Sequence, residues 1–202
     1  MAHVWKALHG EVTERLGAAS EGERTVFAAA VAERLLRAHE QLPAAEQRAY
    51  TLGQRGLLDA VWAGALGDRA AFRTVKHGLG TYYLSEHCHN DGPDGSDDAD
   101  ESAAAAVLYA ALCHLHGCTD FAVFASGRAL EAIDEVAQDD DDFADDPDEL
   151  RAEDVRRQLR DLDLIADHAA ELRHARFGLA AERTAELQTA LRRPLSLADD
   201  LG

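Results

Sequence analysis

The stretch Ser102–His116 (SAAAAVLYAALCHLH) is apolar on nearly every side. A helix without a polar face must be covered all round, so this segment is expected at the buried centre of a bundle. Elsewhere apolar positions recur every three or four residues, and convincing two-residue alternation is absent. The 202 residues suffice for one globular domain whose core needs no disulfide or metal to hold it. The expected fold is therefore all-α: a single domain over residues 1–202, with six to eight helices around an alanine-rich central one.

Local signals place the helices. Val4, Leu8, Val12 and Leu16 step by four, predicting a helix near residues 3–17. Ser20 followed by Glu23 is a capping-box pattern. It opens a helix with Phe27, Val31, Leu35, Ala38 and Leu42 on one stripe, ended with the help of Pro43. Leu57, Leu58, Val61, Trp62 and Ala65 mark a third helix, with Gly67 just beyond it. A short helix is expected over residues 69–77, and Gly78 and Gly80 weaken the helical signal from there to Tyr83. Gly117 suits the C-terminal cap of the central helix, and Thr119 suits the start of the next. Pro147, Asp148 and Glu149 supply an N-terminal proline and first-turn acids. After them Val155, Leu159, Leu162, Ala166 and Ala169 form a bundle seam. A last helix is expected over residues 179–192, before Pro194.

Charge is unevenly spread. Acids outnumber bases 38 to 20, for a net charge of −18. That balance argues against direct binding to nucleic acid or an anionic membrane, where Lys and Arg must meet phosphates. Residues 90–101 hold six carboxylates and residues 139–149 hold eight, and neither segment has a base. The rest of the chain carries 24 acids against 20 bases, so two self-repelling loops supply most of the field. Such loops suit a basic protein partner, as for an immunity-type inhibitor or an adaptor. The residues expected to meet it are Asp94, Asp97, Asp98, Asp140, Asp141, Asp142, Asp145 and Asp146. The plainer reading is that the loops only keep the protein soluble. A homodimer with a scaffolding role is a further possibility; it would show as a large exposed apolar helix face.

Three cysteines cannot all pair within one chain, which favours a reducing compartment. There is no apolar run of about 18 residues and no basic start followed by an apolar core, so a cytoplasmic protein is expected. Phosphate-loop, dinucleotide, nucleophile-elbow and H-E-x-x-H patterns are all absent, and no cofactor is expected.

The alternative to a non-enzymatic binding protein is a metal-binding enzyme or sensor. His87, His89, Cys113 and His116 lie in ligand-rich segments, SEHCHND and CHLHGC, and zinc takes four such donors. Against this, Cys113 packs equally well as a small apolar residue, and a helix C-terminus favours His114 and His116. His168, Glu171 and His174 contain one Glu-x-x-His pair, but they point away from the seam and read as a solvated face. Asn90–Glu101 partly matches a calcium loop, with Gly92 where a carboxylate is needed. Arg34 is the most informative single residue. It interrupts an apolar stripe, so its head either snorkels along the rim or meets a carboxylate from another helix. Glu33 lies towards the edge of that stripe.

FAAAVAERLL (Phe27–Leu36) followed by LLDAVW (Leu57–Trp62) resembles the N-terminal half of the YjaG-like bacterial proteins, a family of unknown function. The alanine-rich helix and a late helix with Gln158 fit that family loosely, and the resemblance spans most of the chain. It implies an all-helical fold and a cytoplasmic setting, and it transfers no catalytic residue.

Overall fold

The computed structural model describes residues 4–88, 102–139 and 146–197. Its elements are α1 (Val4–Ala18), α2 (Glu21–Gln41), α3 (Ala49–Leu52), α4 (Arg55–Ala65), α5 (Ala71–Tyr83), α6 (Ser102–His116) and α7 (Thr119–Asp139). These are followed by α8 (Pro147–Ala166), α9 (Ala169–Ala175), α10 (Ala181–Leu187), a π-helical turn (Gln188–Arg192) and α11 (Arg193–Leu195). Among the described residues seven helices have eleven residues or more, and no strand occurs. None of these helices is long and apolar enough to cross a membrane.

The alanine-rich helix α6 is the centre of the bundle. Ala104–Leu108, Ala110 and Ala111 have no exposed surface. It packs most extensively on α2 and α7, and then on α4 and α5. Small side chains make this possible: Ala28, Ala29, Ala30 and Ala32 of α2 are also fully buried, so two backbones approach closely. Larger groups, including Phe27, Trp62, Leu58 and Leu108, fill the remaining space.

The capping box forms as expected. Ser20 N–H donates to Glu23 Oε2 at 2.9 Å, and Glu23 N–H donates to Ser20 Oγ at 3.4 Å. Gly117 ends α6 with φ +66°, and its N–H donates to Cys113 O at 2.7 Å. Only a residue at ease in left-handed backbone closes a helix this way.

Three expectations need correction. First, α5 continues through Gly78 and Gly80 to Tyr83. A Cβ at Gly78 would lie 3.0 Å from Leu57 Cδ1, so this glycine admits close contact with α4. Second, the buried stripe of α8 is Ala152, Val155, Gln158, Asp161, Leu162 and Ile165. Ala166 of the expected seam is exposed, and two polar groups take part in the buried face instead. Third, the segment 139–149 is helical at both ends, since Asp139 closes α7 and α8 begins at Pro147. Asp146 caps α8 by accepting from Asp148 N–H at 3.0 Å, and Asp148 accepts from Trp5 Nε1 at 3.0 Å.

Candidate functional site

A cleft of about 540 Å³ opens between α2, α7 and α8. This lies within the roughly 300–1,000 Å³ of ordinary ligand pockets. Val31, Leu35 and Ala38 of α2 face Ala129, Ala132, Ile133 and Val136 of α7, with Leu150 of α8 and Leu197 at the rim. Its polar lining is Arg34, Arg37, Gln41, Asp154, Arg157 and Ser196.

Arg34, in the cleft lining, forms a buried ion pair. Its side chain is only 10% exposed, and Nη1 donates to Asp161 Oδ2 at 2.7 Å. Of the two sequence alternatives for Arg34, the structure shows the paired one. Burial raises the pKa of Asp161 above the usual carboxylate value, and the charge and hydrogen bond of Arg34 offset this only in part. The other nitrogen, Nη2, is buried with no hydrogen-bond partner among the described residues, and so is Ser196 Oγ. Unpaired buried donors cost about 1–3 kcal/mol each. Both residues line the cleft.

Behind the cleft runs a hydrogen-bond relay. Gln158 Nε2 donates to Asp154 Oδ2 at 2.6 Å, Ser126 Oγ donates to Gln158 Oε1 at 2.5 Å, and His9 Nε2 lies 3.1 Å from Ser126 Oγ. The direction follows from the groups themselves. A carboxylate only accepts, so the Gln158 amide donates to it and presents its oxygen to Ser126. The single serine proton is then spent on Gln158, and His9 must donate from Nε2. Asp154 is thereby held from α1 through α7 and α8.

Burial lowers the pKa of His9 below the ordinary 6.5, with Asp154 opposing it more weakly. His114 is lowered too, first by burial and then by the Arg176 charge. The unfolded chain therefore takes up these protons first, and the folded state loses stability as pH falls from about 6.5 through the depressed values. Urea unfolding between about pH 7 and pH 5 should show a lower midpoint at the acid end. Asp161, raised by burial, contributes with the opposite sign, so the histidines are read separately by NMR titration: imidazoles that titrate at or above 6.5 would contradict their burial as neutral groups.

A second cluster lies beside the first. Glu33, only 1% exposed, accepts from Arg37 at 2.7 Å, from Arg55 at 2.8 Å and from Trp62 Nε1 at 3.1 Å. Burial alone would raise its pKa, but the hydrogen bonds and charges of Arg37 and Arg55 outweigh this and hold it below 4.5. Arg55 also pairs with Glu40 at 2.8 Å, and Arg192, from the π-helical turn, pairs with Asp59. Three arginines meet three acids, so the cluster balances itself and locks α2, α4 and the chain's end together. Glu33 is thus a buried anchor where the sequence placed it at a stripe's edge.

Among the described residues the metal alternative is not assembled. His87 is exposed and stacked on Tyr50 at 5.2 Å, and His116 is exposed beside Phe121. Cys113 is fully buried, hydrogen-bonded by Thr25, and its thiol is pushed up to about 12 by burial. Among the described residues no three His, Cys, Asp or Glu side chains gather within reach of one ion. His89, Asp94, Asp97, Asp98, Asp140, Asp141, Asp142 and Asp145 lie outside the described residues, as does the calcium-like loop. Glu171 accepts from Arg183 at 2.9 Å, which fits a solvated face.

Compared with protein-family models, curated proteins and solved structures, the chain matches none.

Proposed function

We propose that this protein binds a small amphipathic carboxylate in the cleft between α2, α7 and α8. The observation that carries this is Arg34, which lines a largely apolar cleft and whose buried Nη2 has no hydrogen-bond partner among the described residues. With Nη1 held by Asp161, the remaining Nη2 can give a carboxylate one charge-assisted hydrogen bond. Ser196 Oγ offers a second donor beside it. The aliphatic walls from α2 and α7 take the ligand's apolar part, with burial contributing about 25 cal/mol per Å².

Calorimetric titration with decanoate and with decanol tests this. Decanoate should bind and decanol should bind at least tenfold more weakly, because the alcohol lacks the charge that makes such hydrogen bonds strong. Arg34→Lys keeps a cation for Asp161 but removes the second nitrogen. It should cost decanoate about tenfold and leave decanol unchanged. Equal binding of acid and alcohol, or an Arg34→Lys variant that binds decanoate as well as the parent, would overturn the reading.

A second reading rests on the charge pattern alone: the acidic segments at 90–101 and 139–149 recruit a basic protein. Neutralising Asp94, Asp97, Asp98, Asp140, Asp141, Asp142 and Asp145, and sparing Asp146 and Asp148 that hold the start of α8, should then abolish co-purification of that partner while leaving decanoate binding intact. Recovery of the same partner after neutralisation would remove it.

A further inference from the structure

A separate cleft of about 490 Å³ lies on another side of α4, where the α4–α5 turn meets the α9–α10 turn. The two turns are tied by Leu179 N–H donating to Gly67 O at 3.0 Å. His114, from the end of α6, lines this cleft, and its Nε2 is buried with no hydrogen-bond partner among the described residues. The imidazole sits where α4 has no side chain. A Cβ at Gly64 would be 2.5 Å from His114 Cε1 and 2.6 Å from Nε2, so the glycine makes room for the ring.

Around this nitrogen the surface is unusual for an acidic protein. Phe72 and Phe177 line the cleft yet are 46% and 69% exposed. Arg69 and Arg73 line it as well, and neither has an ion-pair partner among the described residues. A third arginine, Arg176, lies over the Phe177 ring at 5.7 Å and pairs with Glu21. Asp68, the acid in the lining, is engaged in its own turn, accepting from Ala70 N–H at 2.8 Å. Exposed aromatic faces and unpaired guanidiniums together recognise a flat ring that carries negative charge.

We propose that this cleft binds a planar aromatic anion, with its ring against Phe72 and Phe177 and its anionic group on Arg69 and Arg73, beside the His114 ring. The site is independent of the carboxylate cleft, whose residues it does not share.

The test follows the histidine side chains by NMR while 1-naphthoate is added to the full chain. The His114 imidazole signals should move saturably. Cyclohexanecarboxylate, charged but not flat, and 1-naphthalenemethanol, flat but uncharged, should each act at least fivefold more weakly. Phe177→Ala and Arg73→Ala alter exposed side chains and leave the core intact. Each should weaken naphthoate binding about fivefold, and Arg34→Lys should leave it unchanged. An unmoved His114, an equal response to cyclohexanecarboxylate, or wild-type affinity in both Phe177→Ala and Arg73→Ala would overturn the proposal. Loss of naphthoate binding in Arg34→Lys would also overturn it, by placing the ligand in the other cleft.

Discussion

Replacing Glu33 by alanine is expected to lower stability by about 3–5 kcal/mol, the usual cost of breaking a buried ionic network from its buried side. The size follows from what is left behind. Trp62 is fully buried, and its indole N–H loses its acceptor. Arg37 and Arg55 lose the carboxylate that joins α2 to α4, and a cavity opens where Glu33 stood. Glu33→Gln should cost less, because an amide oxygen still accepts from Trp62 and the two arginines reach water. Chemical denaturation of both variants checks this ordering. Equal loss in the two would mean that the negative charge, and neither the packed volume nor the Trp62 hydrogen bond, gives Glu33 its weight.

The second large effect is expected at Gly22. A methyl group there would overlap the Leu172 carbonyl and lie 2.8 Å from its carbon, which is backbone in α9. A backbone cannot turn aside as a side-chain end can, so α9 must shift away from α2. Overpacking of this kind costs about 1–3 kcal/mol. Alanine's better helix propensity returns at most about 1 kcal/mol, so the clash wins. Gly10 provides the contrast. It is exposed within α1 and a Cβ there meets nothing within 4 Å. Gly10→Ala should therefore stabilise by about 0.5–1 kcal/mol. Melting temperatures of the two variants should move in opposite directions. A rise for Gly22→Ala would contradict the close α2–α9 packing.

The bundle was legible because apolar spacing and end signals act within a turn or two of the chain. The capping box at Ser20, the proline opening α8 and Gly117 closing α6 are all local, and the structure bears them out. The cleft is not local. Arg34 and Asp161 are 127 residues apart, and His9 and Ser126 are 117 apart, so spacing along the chain holds no trace of either contact. What the sequence did carry was half of one pair: a guanidinium on an apolar stripe needs a counter-charge.

Polar residues misled for a physical reason. The expected α8 seam contains neither Gln158 nor Asp161, because a seam is traced through apolar residues and a lone polar group inside a bundle is costly. Each is buried because it has partners, Gln158 in the relay and Asp161 against Arg34. Glu33 was placed at an edge because a helix stripe has edges only when neighbours cover one side. Here α4, α6, α7 and α9 all pack on α2, and residues 25–33 are buried throughout. Gly78 misled in the opposite sense, since a glycine that reads as a breaker also lets two helices touch.

The carboxylate cleft is tested most directly by placing a labelled ligand against a single nitrogen. Decanoate carrying ¹³C at its carboxyl group, added to protein with ¹⁵N-labelled arginine, should perturb the Arg34 guanidinium signals. The same additions should shift the methyl signals of Val31, Ile133 and Leu197, which line the cleft walls. Perturbation that leaves Arg34 untouched, or that spreads evenly over arginines outside the cleft, would contradict the assignment of this cleft as the protein's binding site.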